Sequence, residues 1–187
     1  MKKAKLSVGL VHYPVVDKSG KIVCTNVTNL DVHDIARACR VYDVDRYYII
    51  NQMKEQLMFV SRLLDFWRTG VGANYNHMRR TALTMVRTAS TIEETVADIG
   101  GDLEIITTSA RNMEHDRQTT FKELRESLRD NEKSYLLLFG TGFGMADQVF
   151  PGTTLLEPIK GVGTQDYRHL SVRSAVSICL DRLLGPW

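Results

Sequence analysis

Glycines alternate through residues 139–144, directly after a strongly apolar stretch. Glycine lets a ligand approach the main chain closely and lets amide groups point at it, as in nucleotide sites. A dinucleotide fingerprint also needs a full helix after its glycines. Pro151 follows too soon for that helix, although Glu157 stands near the distance expected for a ribose-binding acid. A Walker loop is excluded because no Lys-Ser/Thr pair follows. The segment therefore indicates either a ligand-binding turn or a tight turn without a ligand.

A dense run of polar side chains, residues 166–174, opens the last helix pattern of the sequence. Its members Asp166, His169 and Ser171 would lie where a helix N-terminus offers free amide groups. Ordinary capping by Asp166 or Ser171 would explain the same residues. The sequence leaves both interpretations open.

Arginine side chains on one helix suit an anionic partner. The apolar stripe Val32, Ile35, Ala36 and Cys39 leaves the polar side to His33, Arg37 and Arg40, which are spaced i, i+4 and i+7. Arg37 could hold a phosphate or a carboxylate there, because its guanidinium is always charged and binds in a bidentate way. The alternative is a solvated polar face.

A second basic group contains interleaved aromatic residues, a composition that suits an RNA surface. Its members are Trp67, Arg68, Tyr75, His77, Arg79, Arg80 and Arg87. An amphipathic helix followed by a loop would explain the same residues.

Histidine and cysteine spacing argues against a metal centre. His33-Asp34 fits a metal-dependent phosphohydrolase, but the other histidines show no ligand-like spacing. They are His12, His77, His115 and His169. The cysteines, Cys24, Cys39 and Cys179, contain no CxxC pair, so we expect free thiols in a reducing cytoplasm.

Composition excludes several classes of protein. The 187 residues include 24 basic and 22 acidic side chains, and 43% are hydrophobic, which argues against disorder. No apolar run is long enough to cross a membrane, and the run at 6–11 is too short for a signal peptide. We expect a single domain over residues 1–187. The net charge of +2 neither requires nor excludes RNA binding.

Strand and helix patterns alternate along the chain. Continuous apolar runs predict strands buried on both faces of a parallel sheet, at 6–12, 46–50, 103–107, 135–139 and 154–156. Apolar stripes predict helices over 32–42, 53–67 and 172–183, and capping boxes at Thr91 and Thr120 predict two more. Residues 70–76 are expected to form a long loop. The predicted fold is an open α/β parallel sheet with helices on both faces.

The helix at 53–67 carries more large apolar residues than one buried face requires, and the closing helix is also strongly apolar. Exposed apolar patches of that size mark interfaces, so we expect a homodimer.

Together, these segments resemble a known family. Residues 139–142, 156–161 and 169–175 resemble the three-part C-terminal signature of the SPOUT superfamily of RNA methyltransferases. Arg37-Ala38-Cys39 with Tyr42 and Val44 resembles the first motif of its ribose methyltransferase branch. The chain is most similar to a small bacterial SPOUT family related to the catalytic domain of tRNA guanine-N1 methyltransferases.

The resemblance implies a C-terminal trefoil (α/β) knot, S-adenosylmethionine held bent in the knot crevice, an RNA substrate (tRNA or rRNA), a homodimer, and no metal. The residues it places at the cofactor are Thr108, Ser109, Ala110, Leu138, Phe139, Gly140, Thr141, Gly142, Pro158, Ile159, Gly161, Leu170, Ser171 and Val172. It places Arg37 near the reacting group.

The resemblance specifies the residues that act on the RNA less closely than those that bind the cofactor. Candidate substrate-binding residues are Arg37, Arg40, Arg79, Arg80 and Arg111, and candidate proton-handling residues are Asp31, Asp166 and His169. The sequence departs from the ribose pattern at Gly142, where that branch has Glu, at Ser171 and at Asp31. These departures leave the acceptor atom open. They also motivate an alternative, a non-catalytic module that binds cofactor or RNA together with a partner protein.

Overall fold

A seven-stranded parallel sheet runs through the residues that the computed structural model describes, which are 4–111, 113–163 and 169–186. The strands are β1 (Lys5–Val11), β2 (Val15–Val16), β3 (Ile22–Val23), β4 (Arg46–Ile50), β5 (Val86–Ala89), β6 (Leu103–Thr107), β7 (Gln118–Thr119), β8 (Ser134–Gly140) and β9 (Thr154–Leu156). The order in the sheet is β5-β4-β1-β8-β6-β9-β7, while β2 and β3 form a separate antiparallel hairpin.

Helices connect the strands and cover both faces of the sheet. They are α1 (Asn29–Val41), α2 (Lys54–Arg68), α3 (Val71–Tyr75), α4 (His77–Leu83), α5 (Ile92–Ile99), α6 (Phe121–Asp130) and α7 (Val172–Leu184). One core packs α1, α2, α6 and α7 against the sheet, and α5 packs on the second core. Among the described residues, no helix has the length and apolarity needed to cross a membrane.

Strand β8 shows why the apolar runs are continuous. Tyr135, Leu137 and Phe139 point into the first core, whereas Leu136 and Leu138 point into the second. Because alternate side chains face opposite sides of a strand, burial of both faces requires an apolar residue at every position. The predicted parallel sheet with helices on both faces is confirmed.

Polar side chains cap the helices where the sequence indicated. Thr120 and Glu123 form a complete capping box at α6. At α5 only half of the predicted box forms: Thr91 accepts from the amide of Glu94, but the Glu94 carboxylate accepts from Ser90. Ser171 caps α7 by accepting from an amide in its first turn.

The expectation that residues 70–76 form a long loop is wrong, because Val71–Tyr75 form α3. Asn76 caps α4 by accepting from the amide of Arg79. Gly72 lies so close to Trp67 that a Cβ would come within 2.7 Å of the indole ring. Helices this short carry no visible apolar period and depend on such neighbours.

The predicted knot concerns the path of the chain between β9 and α7. That path includes residues 164–168, which lie outside the described residues, so the knot stays a prediction.

Candidate functional site

Three of the predicted cofactor segments meet at one edge of the sheet. Strand β6 lies between β8 and β9, and Thr107 is in register with both Leu138 and Leu155. Parallel strands end at the same edge, so residues 108–111, 140–144 and 157–161 emerge side by side. Thr108 ties two of these segments together, because its amide and its hydroxyl both donate to the carbonyl of Leu138, at 3.2 and 2.9 Å.

The glycine turn after β8 is packed against the chain's own hairpin. The amide of Val16 donates to Gly144 at 2.9 Å, and the amide of Phe143 donates to Val16 at 3.0 Å. Gly142 has a φ of +61°, and a Cβ on it would lie 3.1 Å from the carbonyl oxygen of Val16. A Cβ on Gly140 would meet the amide nitrogen of Met145 at 2.6 Å. The fold itself therefore requires these glycines, whether or not a ligand also touches the turn.

A chain of hydrogen-bonded polar side chains starts at the buried His12 and reaches the turn. His12 Nδ1 hydrogen bonds with the Thr25 hydroxyl at 2.9 Å, and Thr25 hydrogen bonds with the Thr141 hydroxyl at 2.5 Å. Burial lowers the pKa of His12 to about 4, although the charge of Asp31 opposes that shift. His12 is therefore neutral at pH 7, and its Nε2 has no hydrogen-bond partner within the described part of the chain.

Asp31 joins α1 to the start of α7. Its carboxylate accepts from Arg173 Nη1 at 2.7 Å and from the Thr28 hydroxyl at 2.5 Å. Arg173 Nε also lies 3.6 Å from Asp34. Because Arg173 directly follows Val172, these contacts hold the predicted cofactor segment 170–172 against α1.

The predicted RNA-binding arginines divide among different surfaces. Arg37 and Arg79 line one groove of about 660 Å³ between α1 and α2, whereas Arg40 lines a second one. Arg80 is exposed on α4 and does not line the first groove. Arg111 donates to the carbonyl of Met145 and to Asp147, so it braces the segment after the glycine turn.

The candidate proton-handling residues also separate. Asp31 is held in the ion pair with Arg173. His169 is exposed and lies two residues before the cap of α7. Asp166 lies outside the described residues. Among the described side chains, no group of three His, Cys, Asp or Glu residues is arranged to hold a metal ion.

A model of the family described as SAM-dependent RNA methyltransferase matches residues 5–185. The chain belongs to this family. It is also 42% identical over 181 residues to a tRNA (guanine-N(1)-)-methyltransferase of Oleidesulfovibrio alaskensis, a match covering 94% of this chain and 41% of that protein. The chain thus spans about two fifths of the length of that relative.

Solved structures show the same fold at low sequence identity. TrmJ from Z. mobilis superposes with a TM-score of 0.62 at 14% identity, covering 98% of this chain and 69% of that one. The SpoU methyltransferase AviRb from Streptomyces viridochromogenes, solved in complex with AdoMet, gives 0.53 at 12% identity, covering 98% and 61%. These neighbours confirm the predicted architecture of an open parallel sheet with helices on both faces, as in SPOUT methyltransferases.

The methyltransferase uses S-adenosylmethionine, and the residues at this edge suit an adenosyl group. Leu170 and Val162 expose apolar surface. Their near neighbours in sequence, Val172 and Ile159, are half-buried against the first core. A Cβ on Gly161 would meet only open space, apart from one atom at 4.0 Å. Apolar side chains and accessible main-chain groups are two of the features that adenine sites use.

Other predicted cofactor residues have side chains that pack in the cores or form contacts within the fold. The side chains of Leu138 and Phe139 are buried in the two cores. Pro158 is half-buried, and Ser109 accepts from the amide of Arg111 at 3.0 Å. Glu157 accepts from the amide of Phe121 at 2.9 Å and so caps α6 rather than marking a ribose site.

Sequence reasoning missed part of the groove between α1 and α2. Phe59, Arg62 and Phe66 line it on the α2 side. Their i, i+3 and i+7 spacing was a visible signal, since it places all three on one face of the helix. Phe59 and Phe66 also belong to the apolar surplus of this helix, which predicts a dimer.

Proposed function

We propose that this methyltransferase acts on tRNA, with the cofactor at the carboxyl ends of β8, β6 and β9. The observation that carries the proposal is the junction at Arg173. Its guanidinium contacts Asp31 and Asp34, so the cofactor segment 170–172 adjoins the cationic groove that Asp34 lines. The identity to a tRNA (guanine-N(1)-)-methyltransferase supports tRNA as the substrate class.

We propose roles for the site residues from their positions. Residues 158–161 and 170–172 would hold the cofactor, which supplies an electrophilic methyl group when bound. Arg37 is exposed and makes no ion pair within the described residues. It would hold an RNA phosphate or stabilise charge developing on the acceptor. The Asp31 carboxylate already accepts hydrogen bonds from Arg173 and Thr28. The proton that the acceptor atom loses on methylation would therefore pass to His169 or Asp166.

A tritium-transfer assay tests the enzyme and its substrate. Purified protein and tritiated S-adenosylmethionine are incubated with tRNA from a strain lacking the protein, and tRNA from the parent strain serves as the matched control. We expect incorporation only into the first tRNA, because the target is already methylated in the second. Mapping the labelled nucleotide then identifies the acceptor atom.

The other outcomes separate the alternatives. The assay is repeated with rRNA from the same strain in place of tRNA. Label appearing in rRNA and not in tRNA would make the substrate class wrong. Calorimetric binding of cofactor without label in either RNA would favour the non-catalytic module. The departure at Gly142 motivates that module, because the ribose branch has Glu at this position.

We propose a homodimer formed through the surface of α3 and α4. Val71, Tyr75 and Met78 are each more than three quarters exposed there, and exposed apolar patches mark interfaces. Light scattering should give twice the single-chain mass for the wild type and a lower mass for Met78→Glu. Val41→Glu, which changes an equally exposed residue on α1, should remain dimeric.

We also propose a cytoplasmic location. Cys24, Cys39 and Cys179 are free thiols, and burial raises the pKa of each, to about 12 for Cys179. Unpaired thiols suit a reducing compartment. Fractionation with a tagged chain should recover the protein in the cytoplasmic fraction.

A further inference from the structure

Two helix faces with the same spacing form the walls of the groove between α1 and α2. Leu30, His33, Asp34 and Arg37 are spaced i, i+3, i+4 and i+7 on α1, and Phe59, Arg62, Leu63 and Phe66 repeat that spacing on α2. Such positions lie on one side of a helix. Helix α4 packs against both helices and adds Arg79. The groove is open to solvent, and its volume of about 660 Å³ is in the range of ligand sites.

The groove offers fixed aromatic rings with uncovered surface. Trp67 is already engaged, since the Arg79 guanidinium lies 4.6 Å from its ring centroid and His33 packs edge-on at 5.5 Å. Phe66 also packs edge-on against Trp67, at 5.1 Å and 90°, which holds its ring in place. Phe66 nevertheless remains 50% exposed and Phe59 41% exposed. A held aromatic ring with a free surface provides a stacking partner at low entropic cost.

The charge of the groove favours an anion. Arg37, Arg62 and Arg79 line it, and none of the three forms an ion pair with another described residue. The single acidic lining residue, Asp34, is already partnered by Arg173 at 3.6 Å. A second copy of this chain docked on a twofold axis here would bring the same three arginines to face one another. A polyanion with flat apolar groups fits better.

We propose that this groove binds an unstacked nucleotide of the RNA substrate, with its base on Phe59 and Phe66 and the adjacent phosphates on Arg37, Arg62 and Arg79. The proposal rests on the proposed function and adds where the RNA is held. Proteins recognise single-stranded RNA by stacking splayed bases on aromatic side chains while cations follow the backbone. Asp34 links the groove to Arg173, and therefore to the cofactor segment, so a nucleotide bound here lies next to the reacting edge.

Fluorescence anisotropy tests the groove with two probes. The first is a fluorescein-labelled single-stranded RNA of mixed sequence and about 12 nucleotides, a length that one single-strand site covers. The second is labelled tRNA. The test variants are Phe66→Ala and Arg62→Gln. Their matched controls are Met58→Ala, an exposed apolar residue of α2 outside the groove, and Arg129→Gln, an exposed arginine on α6.

Stacking and phosphate contacts have different signatures. We expect Phe66→Ala to weaken binding of the single-stranded probe roughly 5- to 100-fold without changing its salt dependence. We expect Arg62→Gln to weaken binding and to lower the slope of log K against log salt by about 0.7, the value for one lost phosphate contact on a single strand. Both controls should match the wild type, and cofactor binding measured by calorimetry should be unchanged in all four variants.

The remaining outcomes distinguish this proposal from the one it rests on. A wild type that binds neither probe would make the RNA substrate itself wrong. If the wild type binds both probes and the groove variants bind as well as their controls, the groove is not an RNA site and the proposed function is unaffected. The assignment of the groove is also wrong if the wild type binds tRNA but not the single-stranded probe. Dissociation of a dimer by Phe66→Ala, measured by light scattering, would instead make this surface an interface between copies.

Discussion

The ion pair between Asp31 and Arg173 should respond unequally to loss of either partner. The Asp31 side chain is only 7% exposed, whereas that of Arg173 is 32% exposed. Arg173→Gln leaves a buried carboxylate without its counter-charge, at a cost of about 3 kcal/mol in the free energy of unfolding, the low end of the range for breaking a buried pair. Asp31→Asn should cost about 1.5 kcal/mol, because Arg173 reaches water and keeps Asp34 at 3.6 Å.

Urea unfolding followed by circular dichroism measures both costs, with Asp34→Asn as the control. The control should change stability by less than about 0.5 kcal/mol, since the Asp34 side chain is 49% exposed. The double variant Asp31→Asn/Arg173→Gln should be more stable than the sum of the single effects predicts, by about 1 kcal/mol or more. Equal single effects, a larger loss for Asp31→Asn, or simple additivity would refute the assignment of a buried carboxylate with a half-solvated partner.

Three further predictions concern the turn, the buried histidine and the groove. Gly142→Ala should lower the free energy of unfolding by more than the about 1–2 kcal/mol of a left-handed alanine, because its Cβ meets the Val16 carbonyl at 3.1 Å. Gly101→Ala also has a positive φ but has open space around it, so thermal unfolding should show only the conformational cost there. The pKa of His12 is about 4 in the folded protein and 6.5 in the unfolded chain. The unfolded chain therefore binds more protons between these values, and stability should fall by up to about 3 kcal/mol as pH drops through that window. Urea unfolding of His12→Gln should not show this loss of stability at low pH. If the variant and the wild type have the same pH profile, His12 is not the residue responsible. Arg37→Ala should reduce kcat/KM for methyl transfer by about 10²–10³-fold, with cofactor affinity and Tm unchanged, and Arg37→Lys should not restore it. If Arg37→Ala keeps full activity on the mapped RNA, Arg37 is only a solvated charge with no role in methyl transfer.

Periodicity in the sequence predicted the long elements. Every position from Tyr135 to Phe139 is apolar because β8 is buried on both faces. The stripe beginning at Val32 fixed the inner face of α1, and Thr120 correctly marked the start of α6. These features depend on near neighbours in the chain, so they are visible without any tertiary information.

The short elements could not be predicted in this way. Strand β5 has four residues, Val86–Ala89, and β7 has two. Helix α3, Val71–Tyr75, has five. So few residues show no period, and their conformation is stabilised by the neighbours that the fold supplies.

The site depended most strongly on tertiary structure. The sequence placed Arg37 and Arg40 together on the polar face of α1, but Arg40 lies about one turn nearer the end of the helix. Arg40 lines a second groove there, and only Arg37 reaches the groove with Arg79. Likewise, the sequence left the glycine turn open between a ligand site and a structural turn, and only the position of Val16 shows what packs against Gly142.

The order of residues along the chain is enough to predict the long helices and strands, and it contains the motifs that resemble a SPOUT methyltransferase. Which side chains meet depends on the three-dimensional fold. Asp31 and Arg173 lie 142 residues apart along the chain, yet they join α1 to the cofactor segment. The physical reason is that helix and strand periods depend on residues a few positions apart. Contacts across the molecule depend instead on the order β5-β4-β1-β8-β6-β9-β7, which no local pattern encodes.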